Sequence, residues 1–175
     1  NFLKKVEEKI DRHFGGVVHC EQLYLPSADY MFVARLISNA NGEVIDERVL
    51  DMIIERKNVN DLQLCLIKDS KKYKPLSFFE AQTYKLQNCG IKKKLFLMEG
   101  DEDDPKHFSM YSTTARGTTT VRGTTTPAEQ LKRLKRVKTV RLQMEKGDWK
   151  GIDIVCTKNA ADTVEFLIQQ LKNFK

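Results

Sequence analysis

The stretch that most constrains this chain is Val49 to Asp61, Val-Leu-Asp-Met-Ile-Ile-Glu-Arg-Lys-Asn-Val-Asn-Asp, where charges stand inside a run that otherwise reads as buried strand. Val49, Leu50, Ile53 and Ile54 favour an extended strand, and Asn58 and Asn60 close it at the start of a helix. Side chains alternate along a strand, so Asp51, Ile53, Glu55 and Lys57 share one face while Met52, Ile54 and Arg56 take the other. A carboxylate and an ammonium two residues apart therefore point the same way. Unpaired buried charge costs several kcal/mol, so Glu55 and Lys57 pair with each other, reach solvent at the end of the sheet, or hold a third group between them.

A chain of 175 residues suits one domain and buries roughly 70% of its unfolded surface. Such a core needs no disulfides, and Cys20, Cys65, Cys89 and Cys156 are widely spaced with no C-x-x-C pair, so they read as reduced, small buried hydrophobes of an intracellular protein. No stretch reads as a secretory segment or a membrane span. A formal charge of +6 favours polyanionic partners. His13, His19 and His107 match no metal-ligand spacing and read as surface or structural. Asn1 in place of an initiator Met is expected of a fragment of a longer protein.

Phe2, Val6, Ile10 and Phe14 recur every fourth position and predict an amphipathic helix stopped by Gly15 and Gly16. Residues 17–25 and 30–37 read as two strands around a Pro26-Ser27 turn, with Asp29 at the mouth of the second. Helices are expected over 59–67 and 78–86, joined by a connection holding Lys71, Lys72, Lys74 and Pro75. A short buried strand is expected over 95–98. The acidic run Asp101 to Asp104 and the repeated Arg-Gly-Thr-Thr-Thr bury too little apolar surface to offset ordering entropy, so residues 101–127 are expected to be a mobile surface insertion. Pro127 then opens a helix after a Thr126 cap. Leu131, Leu134, Val137, Val140 and Met144 give it an apolar face, and Lys132, Arg133, Lys135, Arg136, Lys138 and Arg141 crowd the rest. A strand over 152–156 and a helix over 160–174 complete an α/β fold with a mixed sheet flanked by helices.

Glu55-Arg56-Lys57-Asn58-Val59-Asn60-Asp61 resembles the E-R-K-x-x-x-D signature of the XPF-type structure-specific endonucleases. One strand earlier, Leu25-Pro26-Ser27-Ala28-Asp29-Tyr30 resembles the family's L-P-x-G-D-Y/F segment, with Ala28 in place of the family's glycine. The long spacing from Asp29 to Glu55 is similar to that of the MUS-type crossover junction endonucleases rather than the XPF repair branch. Gln82, Leu86, Cys89-Gly90 and the strand from Lys94 to Glu99 resemble further segments of the same branch. The similarity covers most of residues 17–100 and, more loosely, 127–173; the threonine-rich insertion has no counterpart in it.

The resemblance implies a restriction-endonuclease-like core in a single nuclease domain over 1–175, and catalysis with Mg²⁺ or Mn²⁺. A further acidic ligand of the family belongs to a strand that would precede Phe2. Asp51 and Glu55 lie roughly 13 Å apart along a strand, too far to share one cation. Glu55 therefore needs a carboxylate from another strand, and Asp29 is the natural one. On this reading Asp29 and Glu55 ligate the metal, and Lys57 orients water and offsets charge on the phosphate. Arg56 anchors the sheet or a carboxylate on the other face, Asp51 is a supporting acid, and Asp61 caps the helix or holds Lys57. Asp29 also suits a turn, Asp61 a helix N-terminus and Gln82 a solvated helix face.

Lys71, Lys72, Lys74, Gln82, Lys92, Lys93 and Lys94 are the expected DNA contacts, with the basic helix over 132–141 a weaker one. The resemblance also implies branched DNA (flaps, forks, nicked Holliday junctions) as substrate in recombination and fork repair. It further implies a non-catalytic paralogous partner subunit, no membrane association and residence in the nucleus. The helix over 160–174, through Phe166, is a candidate contact for that partner, although core packing explains it equally. A non-catalytic scaffold of the same fold and an XPF-branch repair nuclease stand as alternatives.

Overall fold

In the computed structural model, which describes residues 2–16, 18–67, 78–101, 112–113, 119–120, 127–146 and 149–174, the apolar period at the start becomes α1, Phe2–Phe14. Val6 and Ile10 are buried. Gly15, at φ 57°, ends the helix in a backbone conformation that side chains rarely tolerate. The strand expected over 17–25 is absent from the described part of that run: Leu23 and Tyr24 lie exposed, and Val18 and Cys20 pack beside α1. A strand exists only where a partner supplies hydrogen bonds, and the described part of this segment has no place in either sheet.

The hairpin instead joins β1, Tyr30–Ile37, to β2, Val44–Asn58. Gly42, at φ 74°, turns the chain, and its N–H donates to the Ser38 carbonyl at 2.9 Å. β2 passes directly into α2, Val59–Ile67, followed by α3, Phe78–Gln87, and β3, Lys93–Glu99. Ser112–Thr113 (β4) and Thr119–Thr120 (β5) pair antiparallel on their own. The remainder of the expected mobile insertion, with Thr126 and His107, lies outside the described residues, as do Lys71, Lys72, Lys74 and Pro75. α4, Pro127–Glu145, then β6, Ile152–Thr157, and α5, Ala160–Asn173, complete the chain.

The main sheet has four strands in the order β1-β2-β3-β6. β1 runs antiparallel to β2, and β2, β3 and β6 are parallel. This is the mixed sheet expected. Its faces follow from strand alternation. Ile53, Phe96, Met98 and Ile152 join Val59 and Leu62 of α2, Phe79 and Leu86 of α3, and Val137 and Met144 of α4. Met52, Ile54, Leu95 and Leu97 join Leu167 of α5, with Phe2, Tyr30 and Phe32 beside them. Phe166 packs, half-buried, against this second cluster. Of the α4 residues expected to face inward, Leu131 is instead 51% exposed. The four cysteines form no disulfide; Cys20, Cys65 and Cys89 are half-buried, and Cys156 is exposed rather than buried. Among the described residues no helix is long and apolar enough to cross a membrane.

β3 is central, and Leu95 to Glu99 are all buried. Truncating the fully buried Leu97 to alanine should destabilise the fold by about 2–5 kcal/mol, read as a shift of the urea midpoint with an unchanged slope.

Candidate active site

β2 carries its charges to the end of the sheet, where β1 starts beside it. Tyr30 pairs with Ile54, and Asp29, the residue just before β1, is held against the stretch of β2 from Ile54 to Arg56. Two hydrogen bonds fix this meeting. The Asp29 N–H donates to the Ile54 carbonyl at 3.0 Å, and Asp29 Oδ2 accepts from the Arg56 N–H at 2.8 Å. The carboxylate thus takes the place of a backbone acceptor at the mouth of β1 and is oriented by β2 itself.

Glu55 is buried. Lys57 Nζ stands 3.2 Å from its Oε1, with side chains 14% and 7% exposed. The contact is an ion pair rather than an aligned hydrogen bond, since Oε1 is buried without a hydrogen-bond partner among the described residues. Burial pushes the Glu55 carboxyl above its usual range, the Asp29 charge pushes it further, and Lys57 offsets them only in part. The Asp29 charge disfavours ionisation of Glu55, and a cation bound beside them would relieve that. Among the described residues no cluster of three or more His, Cys, Asp or Glu side chains converges. A pair of hard carboxylate oxygens, one of them buried with an unused acceptor, nevertheless fits Mg²⁺ or Mn²⁺, which fill their coordination with water and phosphate oxygens.

On the opposite face Arg56 makes a forked contact with Glu99 at the end of β3, Nε to Oε2 at 2.9 Å and an Nη2 to Oε1 contact at 2.5 Å. The Thr163 hydroxyl of α5 donates to Glu99 Oε2 at 2.7 Å and shares a 2.7 Å hydrogen bond with Thr157 of β6. The Arg56 guanidinium also lies 4.6 Å from the centroid of the Phe2 ring of α1. One arginine thereby ties two strands and two helices together immediately behind the carboxylate pair. Sequence reasoning placed Arg56 on this face but assigned Glu99 no role. Its only sequence signal is an acid ending the apolar run of β3, because its partner is set by strand register.

The other expected residues fall elsewhere. Asp61 belongs to a helix cap: Asn58 Oδ1 accepts from the Asp61 N–H at 2.9 Å, and Asn58 Nδ2 donates to Asp61 Oδ2 at 2.6 Å. The pair fixes the turn from β2 into α2 right after Lys57. Asp51 sits apart from the site, roughly 13 Å back along β2 from Glu55. It binds Lys92 at 2.9 Å, both side chains being well exposed. Lys93 reaches Gln170 of α5 at 3.4 Å. Lys92, Lys93 and Lys94 stand at the start of β3, level with Met52, roughly 10 Å back along the strand from Glu55. They are therefore not grouped with the carboxylate pair as their closeness in sequence suggested. Gln82 Oε1 is buried rather than solvated.

The ERCC4 domain matches residues 4–169 of the chain. This chain belongs to the ERCC4-domain family. The ERCC4 match spans the strands and helices that build the site, from α1 into α5. The chain is 34% identical over 102 residues to "Crossover junction endonuclease MUS81" of Oryza sativa subsp. japonica, an alignment covering 58% of this chain and 14% of that protein. The same-named protein of Gibberella zeae is 35% identical over 78 residues, covering 45% of this chain and 12% of that one. That of Arabidopsis thaliana is 32% identical over 104 residues, covering 59% and 13%. The chain thus spans 12 to 14% of the length of these curated relatives. XPF from Aeropyrum pernix superposes over all of this chain and 61% of its own, with a TM-score of 0.55 at 15% identity. That likeness shows the restriction-endonuclease-like fold.

Burial alone raises the Glu99 carboxyl, but the Arg56 and Thr163 hydrogen bonds and the Arg56 charge outweigh it and hold it below the usual range. Its stabilisation is fully present above the ordinary Glu value of about 4.3 and is lost as pH falls through the lowered one. Glu99→Gln should therefore cost about 2–3 kcal/mol at neutral pH. The deficit against the unaltered chain, followed by thermal melting, should shrink as the pH is taken towards 3.

Proposed function

We propose that this ERCC4 domain is the nuclease domain of a structure-specific endonuclease that hydrolyses phosphodiesters in branched DNA, with Asp29, Glu55 and Lys57 as its reactive groups. The observation that carries this reading is the meeting of Asp29 and Glu55 across β1 and β2 beside the Lys57 ammonium. Asp29 and Glu55 would hold Mg²⁺ or Mn²⁺, which when bound would supply Lewis-acid stabilisation of the phosphate and activate water near neutral pH.

The chain's own groups divide the remaining work. Asp29 is oriented by the Arg56 N–H, which binds one of its two carboxylate oxygens. Glu55 enters the site with an unused acceptor and a raised pKa, so binding a cation there releases protons as pH falls into the acid range. Lys57, nearly buried, acts from low-dielectric surroundings, where its charge stabilises negative charge growing on the phosphate and orients the attacking water. Arg56, from behind the sheet, positions the strand that carries both.

The substrates proposed are flaps, forks and nicked Holliday junctions, processed during recombination and replication-fork repair. The relatives named crossover junction endonuclease support that assignment. Branch geometry can be recognised through phosphate contacts alone, and no base-reading element is needed. A paralogous non-catalytic subunit as partner and a nuclear location belong to the same proposal.

With labelled flap DNA and Mg²⁺, Glu55→Gln, Asp29→Asn and Lys57→Met should each slow cleavage roughly 100-fold or more, while DNA affinity measured in chelator stays within about twofold. No cleavage by the unaltered chain would instead make the domain a scaffold, and cleavage by Glu55→Gln at the unaltered rate would remove Glu55 from the reactive groups.

A further inference from the structure

α4 carries a basic stripe that the carboxylate site does not use. Lys132, Lys135, Arg136 and Thr139 recur at helical spacing and are exposed. They border an open groove of about 520 Å³ that also includes Leu131 and Val140. Among the described residues no carboxylate lies within ion-pair distance of Lys132, Lys135 or Arg136. Two other cations are matched, Lys4 with Glu8 at 3.9 Å on α1, and Arg141 with Glu145 at 3.2 Å further along α4 itself. Lys132 instead faces Lys135 and Arg136 one turn on, a like-charge arrangement that destabilises an isolated helix.

The position of α4 gives this stripe a direction. Val137 and Met144 share a core cluster with Val59 and Leu62 of α2 and with Ile53 of β2. α4 therefore covers the same face of the sheet as Glu55 and Lys57, beside the helix into which β2 runs.

We propose that the Lys132, Lys135 and Arg136 stripe grips the sugar-phosphate backbone of a DNA arm flanking the cleavage point, without reading its bases. The proposal rests on the nuclease reading above. A polyanion suits the stripe better than an acidic protein helix. Leu131, at 51% exposure, is the main exposed apolar side chain of the groove, whereas a docked helix needs several such anchors. Ammonium and guanidinium groups at one-turn spacing instead suit phosphates, whose neutralisation releases counterions.

The test measures binding of a labelled forked duplex by the 175-residue chain between 50 and 200 mM salt, in chelator so that no cutting intervenes. The substitution K132Q/K135Q/R136Q should flatten the plot of log affinity against log salt by about 2–3 in slope. K132R/K135R/R136K, which keeps the charges, should leave it unchanged. K4Q/K5Q/R12Q removes the same number of exposed cations from α1, in the opposite layer, and should also leave it unchanged. Equal slopes for the α4 neutral variant and the unaltered chain would overturn the proposal, as would an equal loss in the α1 variant. Weakened capture of a polyglutamate peptide with an unchanged DNA slope would overturn it too, by assigning the stripe to a protein partner. Because metal is absent, a missing cleavage activity would refute the nuclease reading and leave this binding result standing.

Discussion

The site depends on one pairing, the start of β1 against the end of β2. Asp29 is not placed by a loop that happens to approach Glu55. Its backbone donates to Ile54 and its carboxylate accepts from Arg56, so the strand bearing Glu55 also orients the acid facing it. Catalytic geometry must be held within a fraction of an ångström, and rigid elements hold it better than free loops. The hairpin brings Asp29, just before β1, to the end of β2 that carries Glu55, and the Asn58–Asp61 cap fixes the turn from β2 into α2.

β2 can carry this strain of charge because its faces divide the labour. The Glu55 and Lys57 face is the reactive one, with a buried carboxyl whose proton affinity is raised. Behind it, Arg56 is neutralised by Glu99, braced by Thr163 and covered by Phe2. A half-buried arginine without a counter-charge would be costly, whereas a forked pair such as Arg56–Glu99 is tolerated and rigid. The second face thus stabilises the backbone while the first keeps an unsatisfied acceptor.

Local signals in the sequence were enough for much of this. The four-residue period of α1, the alternation from Met52 to Lys57 and the start of α2 at Val59 depend on neighbours along the chain, and the structure has them where the residues put them. The facing of Arg56 away from Glu55 follows from the same alternation. Pairing is not local, and there the reading failed. Residues 17–25 have strand-like composition but no partner strand. Asp51 binds Lys92, a partner 41 residues away that the sequence around it does not reveal. Glu99 stayed without a role because the parallel neighbour that brings it to Arg56 lies 43 residues away in the chain. Lys92 to Lys94 looked close to the motif in sequence, yet parallel pairing puts them at the other end of the strand.

If two carboxylates opposed across an antiparallel pair form a cation site, the direct measurement is a crystal of this chain soaked in Mn²⁺ and read by anomalous scattering. The expected result is a peak with one oxygen each from Asp29 and Glu55 at about 2.1–2.3 Å, lost in a Glu55→Gln crystal. A Mn²⁺ peak bound by neither residue, or one that persists unchanged without the Glu55 carboxylate, would contradict it.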